Sequence, residues 1–210
     1  MYDAVIFDND GVLLELTGMD AHVAGARDAF AAVGVEDPDD EDVETVSIGM
    51  TVPKLQAICE RYDLDPEHFW RERDHAIAER QHEEMRAGRK QPYDDIHRLG
   101  AFECPLGVVS SNQAATVEFA FEYFDLDRYF ETVYARPPTI EGLRRKKPEP
   151  YYVERALSDL GTTDALFVGD NETDIEAAHA ADIDSAFIRR SHRTETDLSV
   201  TPDYEVRKLE

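Results

Sequence analysis

Short apolar runs alternating with helical patterns constrain the fold of this chain more than any other feature. Each run is rich in Val, Ile or Phe, as expected for the buried strands of a parallel sheet. The runs are Ala4–Phe7, Leu106–Val109, Thr132–Ala135, Ala165–Val168 and Ser185–Ile188, and the helical patterns between them are Ala114–Phe124, Pro150–Leu160 and Thr173–Ala181. This alternation predicts an α/β fold with a doubly wound, Rossmann-like parallel sheet.

One long segment interrupts the alternation. From about residue 14 to residue 91 no convincing strand is found, and helical patterns occupy Asp20–Val33, Val52–Tyr62 and Pro66–Ala87. The acidic stretch Asp37–Asp42, which contains a proline, is interpreted as a solvated loop between helices. We therefore expect an α/β core made of residues 1–13 and 92–210, with an α-helical cap, residues 14–91, inserted after the first strand.

The composition limits the possible partners and compartment. A net charge of −24 over 210 residues argues against non-specific nucleic-acid binding and against anionic membrane surfaces. No apolar run approaches the roughly 18 residues of a membrane helix, and no signal peptide is expected. Only two cysteines are present, Cys59 and Cys104, so a reducing, cytoplasmic location is predicted.

The acidic residues are spread along the whole chain, and this leaves two interpretations open. They form either an ordinary solvated surface or an adaptation to high salt, where self-repulsion is screened. The basic residues are mostly Arg, with few Lys, which fits the high-salt hypothesis.

Two carboxylates, Asp8 and Asp10, follow the first apolar run, with Gly11 behind them. If Gly11 were the sixth position of an EF-hand calcium loop, Ile6 and Thr17 would stand at the first and twelfth positions, where ligands are required. That register excludes the calcium loop. A turn suits Asn-Asp-Gly, but paired carboxylates at a strand end repel each other unless a cation compensates them.

Polar residues also follow later strands. Asp170 and Asp174 lie four residues apart at the start of a helix, where either could simply cap that helix. Ser110, Ser111 and Asn112 follow the second run, where hydroxyls and free amides could hold an anion or a serine could act as a helix cap.

A basic stretch, Arg144 to Lys147, precedes Pro148 and could by itself be a solvated run of charge. However, acids, hydroxyls, a lysine and further acids occur in this order at successive strand ends. The set resembles the haloacid dehalogenase-like superfamily, in the branch of the phosphoglycolate phosphatases and β-phosphoglucomutases, which carries a small helical cap. The matching residues are Asp8-Asn9-Asp10-Gly11-Val12, Ser110, Lys147-Pro148, and Gly169-Asp170 with Asp174.

The resemblance implies a role for each acid. Asp8 would be the nucleophile that forms an aspartyl-phosphate, Asp10 the general acid and base, and Gly11 would give the turn room. It further implies Mg²⁺ as cofactor, bound by the Asp8 carboxylate, the Asp10 backbone carbonyl and Asp170. Asp174 would bind the ion through a water or orient the other ligands.

The resemblance also implies a phosphate-binding set. Ser110, with the backbone amides of Ser111 and Asn112, would hold the phosphoryl oxygens. Lys147 would pair with the nucleophile and the phosphate, and Lys146 is the adjacent alternative.

Within the predicted cap, the stretch from Gly49 to Leu55 resembles the specificity loop of the branch. Val52 stands where the mutases carry an arginine that binds a second phosphate, and this difference disfavours mutase activity. Lys54 is a candidate substrate contact, or an ordinary lysine on a helix surface. Asn9 is expected to point to the core side of its turn and only to space the two acids.

We therefore expect a Mg²⁺-dependent phosphatase of a small phosphorylated metabolite, with phosphoglycolate as the first candidate substrate. Dehalogenation at carbon is disfavoured because the dehalogenases of the family lack the second acid, here Asp10. The alternatives are a hexose-phosphate phosphomutase, a receiver-like signalling module and a non-catalytic phosphate-binding protein. The oligomeric state is left open.

Overall fold

The sheet is six-stranded over the described part of the chain, and every pairing in it is parallel. The computed structural model describes residues 2–209. The strands are β1 (Ala4–Phe7), β2 (Leu106–Gln113), β3 (Thr132–Arg136), β4 (Ala165–Gly169), β5 (Asp184–Ile188) and β6 (Tyr204–Val206). Their order in the sheet is β3-β2-β1-β4-β5-β6, so the predicted α/β fold is confirmed.

Eight α-helices complete the described chain. They are α1 (Met19–Ala32), α2 (Asp40–Ser47), α3 (Val52–Tyr62), α4 (Pro66–Arg86), α5 (Ala114–Phe124), α6 (Ile140–Arg144), α7 (Tyr151–Leu160) and α8 (Glu172–Ala180). Short 3₁₀ turns cover Ile96–Ala101, Asp127–Tyr129 and Ser191–Arg193. None of these helices is long and apolar enough to cross a membrane.

Side chains of β1 alternate between the two faces of the sheet. Val5 and Phe7 belong to the apolar layer that contains Phe121 of α5, while Ala4 and Ile6 belong to the layer under α7 and α8. All four β1 residues are buried. Because β1 lies between β2 and β4, whatever follows Phe7 emerges at the centre of the carboxyl edge of the sheet.

Helices α1 to α4 form a third apolar core, centred on buried side chains such as Phe30, Phe69 and Trp70. The chain leaves the sheet for this core and returns at one place, because Leu14 pairs with Pro92 and the Glu15 amide donates to the Gln91 carbonyl at 2.9 Å. The helices are thereby held beside the carboxyl edge of the sheet.

Local capping explains where α4 begins. The side chain of Asp65 accepts a hydrogen bond from the His68 amide at 2.7 Å, and Pro66 occupies the first turn, where its missing N–H costs nothing.

The interpretation of Asp37–Asp42 as a loop was wrong for its second half. Residues Asp40, Glu41 and Asp42 form the acidic first turn of α2, where carboxylates are favoured by the unpaired amides of a helix start. Asp42 is buried and accepts hydrogen bonds from Arg61, at 2.7 and 2.8 Å, and from the hydroxyl of Tyr62. It therefore ties α2 to α3 and is not solvated.

Two further differences from the prediction concern strands. β2 continues beyond Val109 to Gln113, with an irregularity in its pairing between Ser110 and Gln113, and α5 begins only at Ala114. The polar residues from Ser110 to Asn112 therefore lie on the end of a strand and not in the first turn of a helix. β6 was not predicted because its three residues are mostly exposed and carry no apolar run.

Candidate functional site

A cleft of about 520 Å³ lies between the carboxyl edge of the sheet and the helices α1 to α4. Its lining includes most of the residues singled out in the sequence: Asp8, Asp10, Ser110, Ser111, Asn112, Lys146, Lys147, Asp170 and Asp174. Residues separated by as many as 166 positions are thus brought to one place by the parallel order of β2, β1 and β4.

Three carboxylates lie close together in this cleft, and one lysine contacts two of them. Lys147 Nζ lies 2.7 Å from Asp8 Oδ1 and 2.6 Å from Asp174 Oδ1, and it donates to the Val109 carbonyl at 3.0 Å. One carboxylate oxygen each of Asp8, Asp170 and Asp174 lies within 4.8 Å of the others. Lys147, and not Lys146, is therefore the lysine that contacts Asp8.

The buried acids repel one another. Burial raises the pKa of Asp8 well above its usual value, and although Lys147 opposes this, Asp174 and Asp170 add to it. Burial likewise raises the pKa of Asp174, again against Lys147 and with Asp170. Burial opposes the charge of Lys147, but Asp174 and Asp8 outweigh it and raise the pKa of that ammonium group. Lys147, together with Arg193 beside Asp170, thus only partly compensates the three buried carboxylates.

This donor set fits a hard divalent cation such as Mg²⁺. All of its donors are carboxylate oxygens, the cluster carries excess negative charge, and its ligand atoms converge. Asp174 is fixed further by two backbone amides, since its Oδ2 accepts from Asp170 at 3.1 Å and from Asn171 at 3.0 Å. It thereby both closes the first turn of α8 and orients the cluster.

The turn after β1 leaves room only for glycine at position 11. Gly11 has a φ of 83°, and a Cβ built on it would lie 2.6 Å from Cγ of Asp170. The backbone carbonyl of Asn9 accepts from the amides of Leu13 at 2.9 Å and Leu14 at 3.0 Å, which fixes the turn.

Asn9 does more than space the two acids, so that prediction was incomplete. Its side chain is fully buried, and Nδ2 donates to Asp10 Oδ2 at 3.1 Å. The same carboxylate oxygen accepts from Asn112 Nδ2 at 2.8 Å. Asn9 and Asn112 therefore hold the Asp10 side chain away from the three-carboxylate cluster.

A residue that the sequence reasoning missed pairs with Asp10. Lys90, which is fully buried, forms an ion pair with Asp10 Oδ1 and donates to Thr17 Oγ1 and Gln81 Oε1, both at 3.0 Å. Burial opposes the charge of Asp10, but Lys90, followed by Asn112 and Asn9, lowers its pKa. No motif marks Lys90, and only the return of the chain beside Leu14 brings it to this position.

Ser110 lies at the mouth of the cluster, and its Oγ accepts from the Asn112 amide at 3.1 Å. The Asn112 amide therefore already has a partner in the Ser110 side chain. It was expected to be a free donor for a phosphoryl oxygen. The Asn112 side chain, which also contacts Gln81, connects this strand end to α4.

Further cations line the same cleft. Arg136, at the end of β3, contacts both oxygens of Asp74 of α4 at 2.6 and 2.8 Å, and Arg73 Nη1 donates to the same carboxylate at 3.0 Å. Lys146 Nζ donates to the Met50 carbonyl at 2.6 Å. The indole of Trp70 lies under both guanidinium groups, at 5.0 and 4.6 Å from their carbons.

Lys54, the other predicted substrate contact, is not brought to the cleft. It lies on the exposed surface of α3, a helix that contributes no residue to the lining, and its Nζ is 3.4 Å from the Gly49 carbonyl. Ile48, Gly49 and Met50 line the cleft instead.

Two residues after β5 also reach the acid cluster. His192 Nε2 lies 2.6 Å and Arg193 Nε 3.1 Å from Asp170 Oδ2. The sequence reasoning assigned no function to the end of β5, although it predicted the strand, and so these contacts were not anticipated.

Comparison with known proteins agrees with this geometry. The family model of the haloacid dehalogenase-like hydrolases matches residues 5–188. Curated relatives include pyrophosphatase PpaX of Bacillus velezensis, 28% identical over 137 residues, which is 64% of this chain and 62% of that protein. PpaX of Listeria monocytogenes is 29% identical over 120 residues, 56% of this chain and 54% of that protein. The matched part thus spans less than two thirds of these relatives.

Solved structures share the fold over nearly the whole chain. CbbY from Rhodobacter sphaeroides, in complex with phosphate, has a TM-score of 0.71 at 18% identity and covers 99% of this chain and 95% of its own. A predicted phosphoglycolate phosphatase from Haemophilus somnus has a TM-score of 0.66 at 18% identity, covering 99% and 94%. The resemblance noted in the sequence is confirmed, and so is the prediction of a hydrolase: the chain belongs to the haloacid dehalogenase-like hydrolase family.

Proposed function

We propose that this protein is a Mg²⁺-dependent phosphatase that hydrolyses a small phosphomonoester through an aspartyl-phosphate on Asp8. The observation that carries the proposal is the separation of the two acids of the first turn. Asp8 belongs to the cluster with Lys147, Asp170 and Asp174, whereas the Asp10 side chain is held apart by Lys90 and asparagines. Unequal environments suit unequal roles in catalysis.

In the first step Asp8 attacks phosphorus, a P–O bond forms, and the bond to the leaving oxygen breaks. Asp10, which must first take up a proton because Lys90 lowers its pKa, gives that oxygen the proton. In the second step Asp10 accepts a proton from water, whose oxygen attacks phosphorus and releases Asp8 and inorganic phosphate. Lys147 opposes the rise in the pKa of Asp8 and orients its carboxylate for attack, and Ser110 contacts the phosphoryl oxygens.

Bound Mg²⁺ would offset the negative charge of carboxylate and phosphoryl group together. Asp8 and Asp170 would hold the ion with the Asp10 backbone carbonyl, and Asp174 would orient them. The excess of the three buried carboxylates over their two cationic partners, Lys147 and Arg193, supports this assignment.

Two substrates are the leading candidates. Phosphoglycolate is favoured by the resemblance of the sequence to the phosphoglycolate phosphatase branch and by the fold it shares with such proteins. Pyrophosphate, a phosphoanhydride and thus an alternative to a phosphomonoester, is favoured by the curated relatives, which are named pyrophosphatases. A mutase is less favoured because Val52 replaces the arginine of the mutase loop and does not line the cleft.

The test is release of inorganic phosphate from a panel of small phosphomonoesters and pyrophosphate, with Mg²⁺ and with excess chelator. We expect turnover only with the metal, and none in Asp8→Asn. The control Asp164→Asn makes the same chemical change on an exposed side chain before β4, at the opposite edge of the sheet, and should keep the wild-type rate. Wild-type rates in Asp8→Asn, or turnover unaffected by the chelator, would refute the proposal.

A further inference from the structure

Three further cations that line the cleft are not fully balanced by neighbouring carboxylates. Lys146, Arg73 and Arg136 line the cleft, and Asp74 is the carboxylate that contacts both arginines. Three cations and one anion leave a local excess of positive charge. This excess lies in a protein whose net charge is −24, so it is not part of a generally basic surface.

The hydrogen bonds of these side chains show which of them can bind a further group. Arg73 also donates to the carbonyls of Val46 at 3.0 Å and Ser47 at 2.9 Å, so α2 holds it in place. Arg136 donates through Nε to the Ser111 carbonyl at 3.2 Å. Lys146 has three ammonium hydrogens and, among residues 2–209, one acceptor, the Met50 carbonyl. Lys146 is therefore the donor with free capacity, and the arginines are fixed charges behind it.

The location of this cluster relative to the proposed phosphoryl site limits the size of a ligand. Lys146 is the chain neighbour of Lys147, and Arg136 contacts the carbonyl of Ser111, which follows Ser110. Both lysines line the same cleft, which has a volume of about 520 Å³. A molecule that reaches from the acid cluster to Lys146 must fit within that volume and is therefore small.

Burial, followed by the charges of Arg136, Arg73 and Lys54, lowers the pKa of Lys146 to about 8, against the opposing effect of Asp74. An anion beside this ammonium group would reverse that trend. His22, which also lines the cleft, has its pKa lowered by burial and by Arg73 to about 4, so it is neutral at pH 7 and adds no charge.

We infer that Lys146, supported by Arg73 and Arg136, forms a subsite for a second anionic group on the substrate, a carboxylate or a phosphate. This inference rests on the proposed function, since it takes the first anionic group to be the phosphoryl group transferred to Asp8. The inference assigns the substrate to the class of small molecules with two anionic groups. Phosphate esters whose alcohol part is uncharged fall outside this class.

The first experiment compares kcat/KM for 2-phosphoglycolate and pyrophosphate with that for ethyl phosphate, which has no second anion. Wild-type protein should prefer the first two, and Lys146→Met should lower this preference about tenfold or more, mainly through KM, because a charge-assisted contact is lost. Lys146→Arg should retain part of it. The control Arg144→Met removes an exposed cation from the same segment and should keep the wild-type preference.

The second experiment needs no turnover. Trp70 is the only tryptophan of the chain and lies against both arginines, so its fluorescence should report binding at the subsite. In titrations of wild type and Lys146→Met, 2-phosphoglycolate should bind wild type more tightly than ethyl phosphate does, and Lys146→Met should lose the difference.

The outcomes separate the two proposals. Hydrolysis of all three compounds without a preference, or a preference that survives in Lys146→Met, overturns the subsite and leaves the phosphatase standing. If no compound is hydrolysed, the phosphatase fails, and the fluorescence titration decides on the subsite alone: equal affinities for 2-phosphoglycolate and ethyl phosphate overturn it.

Discussion

Lys90 illustrates how much of this site depends on a single residue outside the recognisable motifs. It is fully buried, its carboxylate partner is Asp10, and its other contacts, Thr17 and Gln81, lie in the segment that includes the helical insert. Lys90 is a positioning residue, because it acts on the reaction through Asp10. It also links the orientation of that acid to the helices on the other side of the cleft.

We predict that Lys90→Met lowers kcat about tenfold or more while changing KM little, because Asp10 loses its position and its compensating charge. Steady-state kinetics of phosphate release check this, with exposed Lys208→Met as the control. A variant with wild-type kcat would show that Asp10 does not depend on this ion pair.

At the residue scale, the ionisation of Lys146 predicts a pH dependence of substrate binding. Its pKa of about 8 results from burial together with Arg136, Arg73 and Lys54, opposed by Asp74. The pKa is lowered, so the ammonium group carries its charge below pH 8 and loses it as the pH rises through that value. An anion bound there would favour the charged form.

We therefore expect KM for 2-phosphoglycolate to rise above pH 8 more steeply than KM for ethyl phosphate. In Lys146→Arg the difference should disappear, since a guanidinium group stays charged. Parallel pH profiles for the two compounds in wild-type protein would contradict this assignment.

At the scale of elements, the turn after β1 joins the sheet to the residues proposed to act in catalysis. Gly11 has a φ of 83° and lies against Asp170, so both backbone conformation and space require glycine there. Gly34 has the same φ, but a Cβ on it would meet nothing within 4 Å. A comparison of substitutions at Gly11 and Gly34 therefore separates the effect of backbone strain from that of a collision with the acid cluster.

We predict that Gly11→Ala and Gly34→Ala each lower the free energy of unfolding by about 1 kcal/mol or more through the unfavourable φ. Only Gly11→Ala should also abolish phosphate release. Denaturant titrations and activity assays on both variants measure the two effects. Equal activities would show that Asp170 tolerates displacement.

The strands and helices also differ in how far they could be predicted from the sequence. Asp8, Ser110 and Asp170 follow apolar runs directly, so parallel strands had to bring them to one edge, and this part of the prediction needed no contact information. α2 was missed because one of its four buried residues, Asp42, is charged and is satisfied by Arg61 and Tyr62 from α3. A search for patterns of apolar residues cannot detect such a pairing.

Long-range contacts explain the remaining omissions at the site. His192 and Arg193 contact Asp170 from a turn after β5, and Arg136 meets Asp74 across the cleft from α4. Neither pairing has a sequence signature, because each depends on how two separate elements approach each other.

At the scale of the whole molecule, the charge of −24 sets the response to salt. Self-repulsion among exposed carboxylates falls as ionic strength rises, because the Debye length shortens from about 10 Å at 0.1 M to about 3 Å at 1 M. The buried ion pairs of the site, such as Lys147 with Asp8, are screened much less. Salt should therefore act mainly on the surface.

We propose, as an extension of the high-salt hypothesis, that both thermal stability and activity increase from dilute to molar KCl. Melting temperatures and initial rates over this range measure the effect, with sucrose as an uncharged control for general solute effects. If KCl raised neither quantity, or sucrose did so equally, the acidic surface would be an ordinary solvated one.

The central claim is that Asp8 carries the phosphoryl group during turnover, and acid quenching with peptide mass analysis tests it most directly. Wild-type protein mixed with substrate and Mg²⁺ and quenched within the first turnover should carry one phosphoryl group on the peptide that contains Asp8. The group should be lost in mild alkali, as an acyl phosphate is, and Asp8→Asn should not acquire it. Turnover with no phosphoryl group on that peptide, or with the group on another residue, would contradict the account.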